Sequence, residues 1–422
     1  MSNRAKAKLA LVAVVAGPCV VLRLAGTHLR PEAAALVFGA GVVASAFLLA
    51  WAAEAAQVDI SGSLAIALLA LIAVLPEYAV DLYFAFTAGH RPEFAQYAAA
   101  NMTGSNRLLI GVGWPLVALV AIAAWRRHQG RPPPGREEAS PGRAVVLPEQ
   151  SRIELGFLAV ASLYAFVIPL TRRLAWYDSV VLLAIFAGYL WRVGREERGE
   201  PDLVGLAAEV GALGRRPRRA TITALFAAAA VVVVAAAEPF ANGLVGTGAA
   251  LGIDKFLLVQ WLAPLASEAP ELIVATLFAL RLRGDDALGT LLSSKVNQWT
   301  LLVGSLPIAY LLGGGGGALR LDARQTEELI LTGAQAVLGV AVLAELSMSR
   351  LEAVALFALF ALQFPFPGTG VRLSFSAIYL VLAGALLLAR RRHLPATLRT
   401  MVRPIPGTGS RPSPVRSADG RL

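Results

Sequence analysis

Two Pro-Glu pairs, Pro76-Glu77 and Pro270-Glu271, lie inside long apolar stretches of a 422-residue chain. Proline in a helix interior removes an i to i−4 hydrogen bond and frees a carbonyl. Such backbone is tolerated at membrane depth only where it is packed in protein or lines a cavity. A carboxylate there is costly, and an ion or proton pathway is its usual explanation. Carboxylates and freed carbonyls are the hard oxygen ligands that Na⁺ and Ca²⁺ take. Asp81 lies one turn from Glu77, and Glu268 one turn from Glu271, so each pair shares a helix face. A proline kink with structurally paired acids is the plainer account of one such element; two in matched positions point to an ion site.

Downstream of each Pro-Glu pair comes a polar cluster, Gly104-Ser105-Asn106 in the first half and Ser293-Ser294 in the second. Small residues permit close helix approach and supply hydroxyls. Packing alone explains the adjoining Asn101, Asn106, Asn297 and Gln298 less well, because buried amides are also expensive. Arg107 and Lys295 stand out further. The chain has four lysines against 34 arginines, yet one lysine falls within an apolar helix. Buried Lys can lose its charge, whereas Arg effectively cannot. Both are expected to pair with the Pro-Glu carboxylates, as internal counter-cations or gating groups, with snorkelling the alternative for Arg107. Glu54, Glu238 and Glu345 read as further buried acids with no matched pattern. Asp59 and Asp254 sit at turns and read as helix N-caps rather than ligands.

These residues recur because the chain repeats itself. AAEAAQVDISGSLAIALLALIAVLPE ends at Glu77, and GTGAALGIDKFLLVQWLAPLASEAPE ends at Glu271. Each passes from an Ala/Gly-rich helix end, through a turn with an acid, to an apolar helix with an embedded Pro-Glu. NMTGSNRLLIGVG (101–113) then matches TLLSSKVNQWTLLVG (290–304). Five helices separate the start of one unit from the start of the next, and an odd number inverts the second unit relative to the first. Inverted repeats with a site near the midplane are an architecture of secondary transporters.

The elements that must position these groups are membrane spans. The apolar fraction is 57 % and the charged fraction 16 %, where a soluble domain carries closer to about a quarter charged residues. Mean hydropathy is +0.64. Apolar runs lie near 8–25, 33–56, 63–88, 96–124, 153–170, 176–193, 220–247, 256–280, 287–312, 326–346, 350–365 and 373–390. The expected fold is an all-α polytopic membrane protein of about 12 transmembrane helices. It is built from two inverted repeats of five helices plus terminal helices. Gly111, Gly113 and Pro115 predict a break in the 96–124 run. The expected division is an extra N-terminal span in 1–32, a first repeat in 33–193, an Arg-rich cytoplasmic linker in 194–219, a second repeat in 220–365, an extra C-terminal span in 366–392 and a basic disordered tail in 393–422. Gly313 to Gly317 reads as a flexible loop.

The net charge of +10 does not signal nucleic acid, because the arginines crowd into short segments between apolar runs rather than forming a basic surface. Six Arg fall in 126–152, seven in 192–219 and eight from 390 onward. The positive-inside rule places these segments, and both termini, in the cytoplasm. Cys19 is the only cysteine, so no intramolecular disulfide or CxxC metal site is available. HExxH, a Ser/His pair and a membrane GxGD setting are all missing, which argues against an intramembrane enzyme.

At the Pro-Glu and polar-cluster residues the chain resembles the calcium/cation antiporter superfamily, the membrane region of sodium/calcium exchangers. Repeats of that family read roughly G-T-S-x-P-E, then G-N-x-x-G-S-N-x-x-N. The resemblance covers about 33–193 and 220–365 and implies a secondary active antiporter. It would exchange Ca²⁺ or another metal cation against Na⁺ or H⁺ by alternating access. A membrane scaffold or sensor that keeps the fold with a degenerate ion site is the alternative. The resemblance makes Glu77 and Glu271 the metal-binding glutamates, with Glu268, Asp81, Ser105, Asn106, Ser294 and Gln298 around them and Pro76 and Pro270 breaking the helices. Departures are plain. Ala73 and Val74 replace the first Thr-Ser pair, and Ser267 and Glu268 the second. The final Asn of each cluster becomes Leu109 and Gln298, and Lys295 stands at the position of Asn106. No cofactor is implied beyond transported Na⁺, Ca²⁺ or H⁺. The implied partners are the lipid bilayer and inorganic cations, the implied location a prokaryotic plasma (inner) membrane, and the oligomeric state stays open.

Overall fold

The computed structural model describes residues 2–59, 75–128, 142–195, 203, 205–364, 366 and 368–402. In chain order its helices are α1 (Asn3–Leu24), α2 (Pro31–Ala56), α3 (Leu75–Ala88), α4 (Ala95–Leu108), α5 (Trp114–Arg127), α6 (Arg152–Tyr164), α7 (Val167–Thr171), α8 (Trp176–Val193), α9 (Gly205–Gly211), α10 (Arg215–Leu251), α11 (Lys255–Leu280), α12 (Gly284–Asn297), α13 (Val303–Leu312), α14 (Ala323–Leu343), α15 (Arg350–Ala361), α16 (Thr369–Ala389) and α17 (Leu394–Val402). The apolar runs read from the sequence are largely helical where they are described, with the 153–170 run broken at 165–166 between α6 and α7. Residues 60–74, with Ala73 and Val74, lie outside the described residues. Eight helices among the described residues are long and apolar enough to cross a membrane.

Local chemistry sets the helix ends. Pro31 opens α2 at a position where its missing N–H is not needed. Asp254 caps α11 by accepting from the Phe256 backbone N–H at 2.9 Å, as expected. Asp322 with Gln325 and Ser349 with Glu352 form capping boxes on α14 and α15. Gly252, at φ 67°, ends α10 in the left-handed conformation that glycine adopts without a Cβ penalty. Asp59 is instead ion-paired to Arg218 at 2.7 Å, joining the end of α2 to the start of α10. The Arg218 guanidinium holds the Asp59 carboxyl below the usual carboxylate range.

The break expected in the 96–124 run is a π-helical segment, Leu109–Gly113. A second, Gln298–Leu302, lies at the matching place between α12 and α13. Each begins four residues after a repeat serine, Ser105 or Ser294, and π-segments of this kind concentrate at functional sites. Helices α2 and α10, which open the two repeats, pack extensively on each other. Small residues bring them together. A Cβ on Gly243 would sit 2.7 Å from the backbone nitrogen of Ala35, and one on Gly39 would sit 2.8 Å from the Phe240 ring.

The tightest approach joins α4 to α11. Pro264 has no N–H for the carbonyl of Gln260, and Gly104 lies against that carbonyl: a Cβ there would be 1.8 Å from the oxygen. Gly104→Ala must therefore part the two helices. We expect it to cost more than about 3 kcal/mol, the upper end of ordinary overpacking. Gly384→Ala on α16, where nothing lies within 4 Å, should be neutral or stabilising. Thermal unfolding of the two variants in detergent checks the contrast, and equal melting temperatures would refute it.

Four short strands add to the all-helical expectation. β1 (Ala144–Val146) pairs antiparallel with β4 (Ser347–Ser349), and β2 (Arg173–Ala175) with β3 (Ala318–Arg320). Each ladder joins a connection in the first repeat to one in the second. The two ladders flank α6–α7 on one side of the repeat boundary and α14 on the other.

Other expectations need correction. The tail is not disordered from its start: α17 packs on α6, with Arg152 donating to the Thr397 hydroxyl at 3.3 Å and Arg192 to the Thr400 carbonyl at 2.9 Å. The linker 194–219 contains α9, whose Leu206, Ala207 and Val210 pack with Ala53 and Ala56 of α2. Apolar side chains hold α9 down, whereas hydrogen bonds from Arg152 and Arg192 tie down α17. Gly313 is no free loop residue, since a Cβ on it would lie 1.9 Å from the Phe86 carbonyl oxygen. Glu238 is not buried; it pairs at 2.5 Å with Arg23 of α1, both side chains nearly half exposed. Glu345 pairs with Arg390 at 3.0 Å.

Candidate functional site

Both Pro-Glu pairs face the interior. Pro270 lies within α11, so the Ala266 carbonyl lacks its helical donor. Pro76 and Glu77 open the described part of α3. Glu77, Asp81 and Glu268 are buried, and Glu271 is half-buried. Glu77 lies within electrostatic reach of Glu268, Asp81 and Glu271, so α3 and α11 bring together the four acids that the sequence singles out.

Around them stand the polar clusters. Ser294 donates to Glu271 Oε2 at 2.8 Å. Gln298, the first residue of the second π-segment, donates to Glu268 Oε1 at 2.9 Å. Ser267 donates back to the Ala263 and Pro264 carbonyls at 3.1 and 3.3 Å. Among the described residues, Glu77 Oε1, both Asp81 carboxylate oxygens, Glu268 Oε2, Gln298 Oε1, Ser105 Oγ and the Asn101 amide are buried without a hydrogen bond of full geometry, although Asn101 lies beside Asp81 and Ser105 beside Glu268. Orphaned polar atoms at this density ask for an explanation. All but the Asn101 nitrogen and the Ser105 hydroxyl proton are acceptors, the set a hard cation uses. No three acidic, His or Cys side chains among the described residues are gathered closely enough to hold a metal ion as they stand.

Lys295 is fully buried. Contrary to expectation, its ammonium is not in direct contact with the Pro-Glu acids. It donates to the Asn106 carbonyl at 2.8 Å and to Asn106 Oδ1 at 2.5 Å, with the Trp299 ring centroid 4.9 Å away. Glu268 and Glu77 act on it through space. The two residues at equivalent repeat positions thus touch each other, and Asn106 spends its oxygens on Lys295.

Arg107 departs from expectation more completely. It points away from the acid cluster and pairs with Glu328 of α14 and with the Gln363 amide oxygen. Gln260 bridges from Glu328 at 3.0 Å to Thr103 at 3.2 Å, and Gln335 donates to the Arg107 carbonyl at 3.2 Å. Glu328, Gln260, Gln335 and Gln363 were not singled out in the sequence. The available signal was Arg107 itself: a permanently charged guanidinium in lipid needs a carboxylate, and Glu327-Glu328 is a further acidic pair near a matched helix.

The sequence profile of the family described as sodium/calcium exchanger protein matches residues 33–194 and 221–366. The chain belongs to the sodium/calcium exchanger family. This exchanger is 42 % identical to the crystal structure of the H⁺/Ca²⁺ exchanger CAX, over 94 % of this chain and 98 % of that one, with a TM-score of 0.87. The structure of native YfkE matches at 16 % identity over 89 % of this chain and 100 % of the other, TM-score 0.59. The sodium-calcium exchanger NCX_Mj matches at 16 % over 82 % and 99 %, TM-score 0.52. These last two show the shared fold. A search of curated proteins finds no match. The exchanger is thus a secondary transporter rather than an enzyme, an integral membrane protein of inverted repeats from a family of cation antiporters. The matched segments leave α1, α16 and α17 outside the two repeats.

Proposed function

We propose that the chain exchanges a divalent metal cation, with Ca²⁺ the first candidate, for protons. The observation that carries this reading is the convergence of Glu77, Asp81, Glu268 and Glu271 with incompletely hydrogen-bonded oxygens in the protein interior. Carboxylates within electrostatic reach of one another can hold either a hard cation or protons once drawn together, and sharing those groups couples the two fluxes. The named activity of the 42 % identical relative supports Ca²⁺ and H⁺.

In this reading Glu77 and Glu271 are the principal ligands. Asp81, Glu268, Ser105, Ser294 and the Gln298 side-chain amide oxygen supply further oxygens, and the backbone carbonyl freed by Pro270 adds another. Ca²⁺ takes roughly six to eight oxygens, a number this set reaches only when the carboxylates move inward. The entering cation offsets the repulsion between them. Asn106 drops out of the ligand set, because Lys295 holds both of its oxygens.

Purified protein in proteoliposomes tests this. An outward proton gradient should drive Ca²⁺ uptake without Na⁺, and uptake should collapse when the pH gradient is dissipated. Uptake that follows a Na⁺ gradient and ignores pH would assign the coupling to Na⁺. No ion-dependent flux under either gradient would leave the scaffold reading standing.

A further inference from the structure

Two elements outside the matched repeats, α16 and α17, follow one another at an arginine-rich end of the protein. Helix α17 lies across the ends of two spans. A Cβ on Gly156 of α6 would be 2.5 Å from the Met401 side chain and 3.5 Å from the Thr397 methyl group. Arg192, at the end of α8, donates to the Thr400 carbonyl at 2.9 Å. The apolar run of α6 starts at Ile153, so Gly156 sits about 5 Å inside it at 1.5 Å per residue. Helix α17 is therefore held at the level of the membrane boundary.

Thr397 and Met401 turn toward α6 and leave the next face of α17 open. Leu398 and Val402, one turn apart on that face, are 64 % and 76 % exposed, and Leu388 at the end of α16 is 68 % exposed. Beside them stand Arg391, Arg392 and Arg399, all exposed and none in an ion pair among the described residues. Arg392 reaches only the His393 imidazole, at 3.2 Å. The nearby acids are already matched: Glu149 pairs with Arg152 at 2.5 Å, and Glu345 and Glu352 pair with Arg390. Three positive charges are in surplus here. The sequence beyond α17 adds four arginines against one aspartate in 403–422.

We propose that α17 and the Arg391–His393 turn form an interfacial surface that binds anionic lipid, with Leu398 and Val402 among the acyl chains and Arg391, Arg392 and Arg399 on lipid phosphates. An amphipathic helix with basic residues on its polar side lies in the membrane interface in this way. Basic clusters directly after a span are drawn to anionic headgroups, and guanidinium suits phosphate geometry. Water at this face would leave two large apolar side chains solvated at the depth of the α6 apolar run. A second protein copy would have to bring both apolar surface and three carboxylates. Anionic lipid supplies acyl chain and phosphate together, at the level where α17 is held. This surface is independent of the ion site, since none of its residues belongs to the acid cluster.

Full-length protein with Cys19→Ser and Leu398→Cys, labelled with bimane and reconstituted in mixed phosphatidylcholine and phosphatidylglycerol vesicles, provides the test. Brominating the acyl chains of one lipid at a time reads which of them lies against the label. Quenching should be strong at 398 and weak for a label at Ala396→Cys, on the opposite edge of the helix. Mole for mole, brominated phosphatidylglycerol should quench the 398 label severalfold more than brominated phosphatidylcholine. Arg391→Gln, Arg392→Gln and Arg399→Gln together should remove most of that preference. So should about 1 M salt, where the Debye length falls to about 3 Å; this second arm serves if the triple variant folds poorly. A 398 label that neither lipid quenches would place this face against water or a second copy and overturn the assignment. Equal quenching by the two lipids, or a phosphatidylglycerol preference unmoved by the triple variant or by salt, would overturn it as well.

Discussion

Glu77→Gln and Glu271→Gln are each expected to abolish cation exchange while leaving the protein folded and inserted. Glutamine keeps the volume and one oxygen of glutamate but removes the charge. Next to a divalent cation, one lost unit charge at about 4 Å is worth on the order of 4 kcal/mol per unit of cation charge at an effective dielectric of about 20. That is at least a thousandfold in affinity by rough conversion. Folding should survive because the wild-type acids repel one another: Glu77 faces Glu268, Asp81 and Glu271. Removing one charge relieves that repulsion, so the melting temperature should hold or rise. The two variants should also behave alike, since the glutamates follow equivalent prolines in equivalent repeats. Isotope counterflow in proteoliposomes, beside thermal unfolding, gives the answer. Wild-type rates in both variants would show that the ion is held elsewhere.

Lys295→Asn has the second large expected effect, and it is a gain. In the wild type the ammonium holds the Asn106 carbonyl and side-chain oxygen and offsets part of the charge of Glu268 and Glu77. Asparagine restores the residue found at the equivalent position in the first repeat, frees the oxygens of Asn106 and leaves the acids short of one positive charge. Confined like charges are relieved by taking up a further cation. The variant should therefore be stabilised by Ca²⁺ or Na⁺ to a greater extent than the wild type. A purely structural lysine predicts otherwise. Breaking a buried charge interaction costs about 3–5 kcal/mol, so melting temperature would fall with no change in ion response. Melting curves of both proteins across a cation series separate these cases, and a large loss of stability without new ion dependence would rule out the tethered cation.

Much of this site could be read from residue types because lipid penalises polar groups so heavily. Glu77, Glu271, Ser105 and Ser294 stood out against alanine and leucine, and their repetition tied them together. The two π-segments fall where the matched clusters meet their apolar stretches, although glycine and Pro115 signalled a break only in the first half. What could not be read was partnership. Arg107 and Glu328 are separated by most of the second repeat, and Glu328 has no repeat mate to mark it. Lys295 carries a charge that calls for a carboxylate, yet three-dimensional packing gives it an amide and a carbonyl of the neighbouring repeat. Strands of three residues leave no usable period in a sequence, and α17 is short enough that its packing on α6, rather than its composition, decides its order.

The two nested ladders bear on how the chain is made. β1 finds β4 and β2 finds β3 only across the boundary between repeats, so neither ladder can close until most of the second repeat has left the ribosome and entered the bilayer. Contacts of such sequence separation form late. During that interval Glu77, Asp81 and Asn101 of the first repeat lie in lipid without α11 to cover them. The first half is then a nascent intermediate with exposed polar groups, the kind of species on which quality-control proteases act.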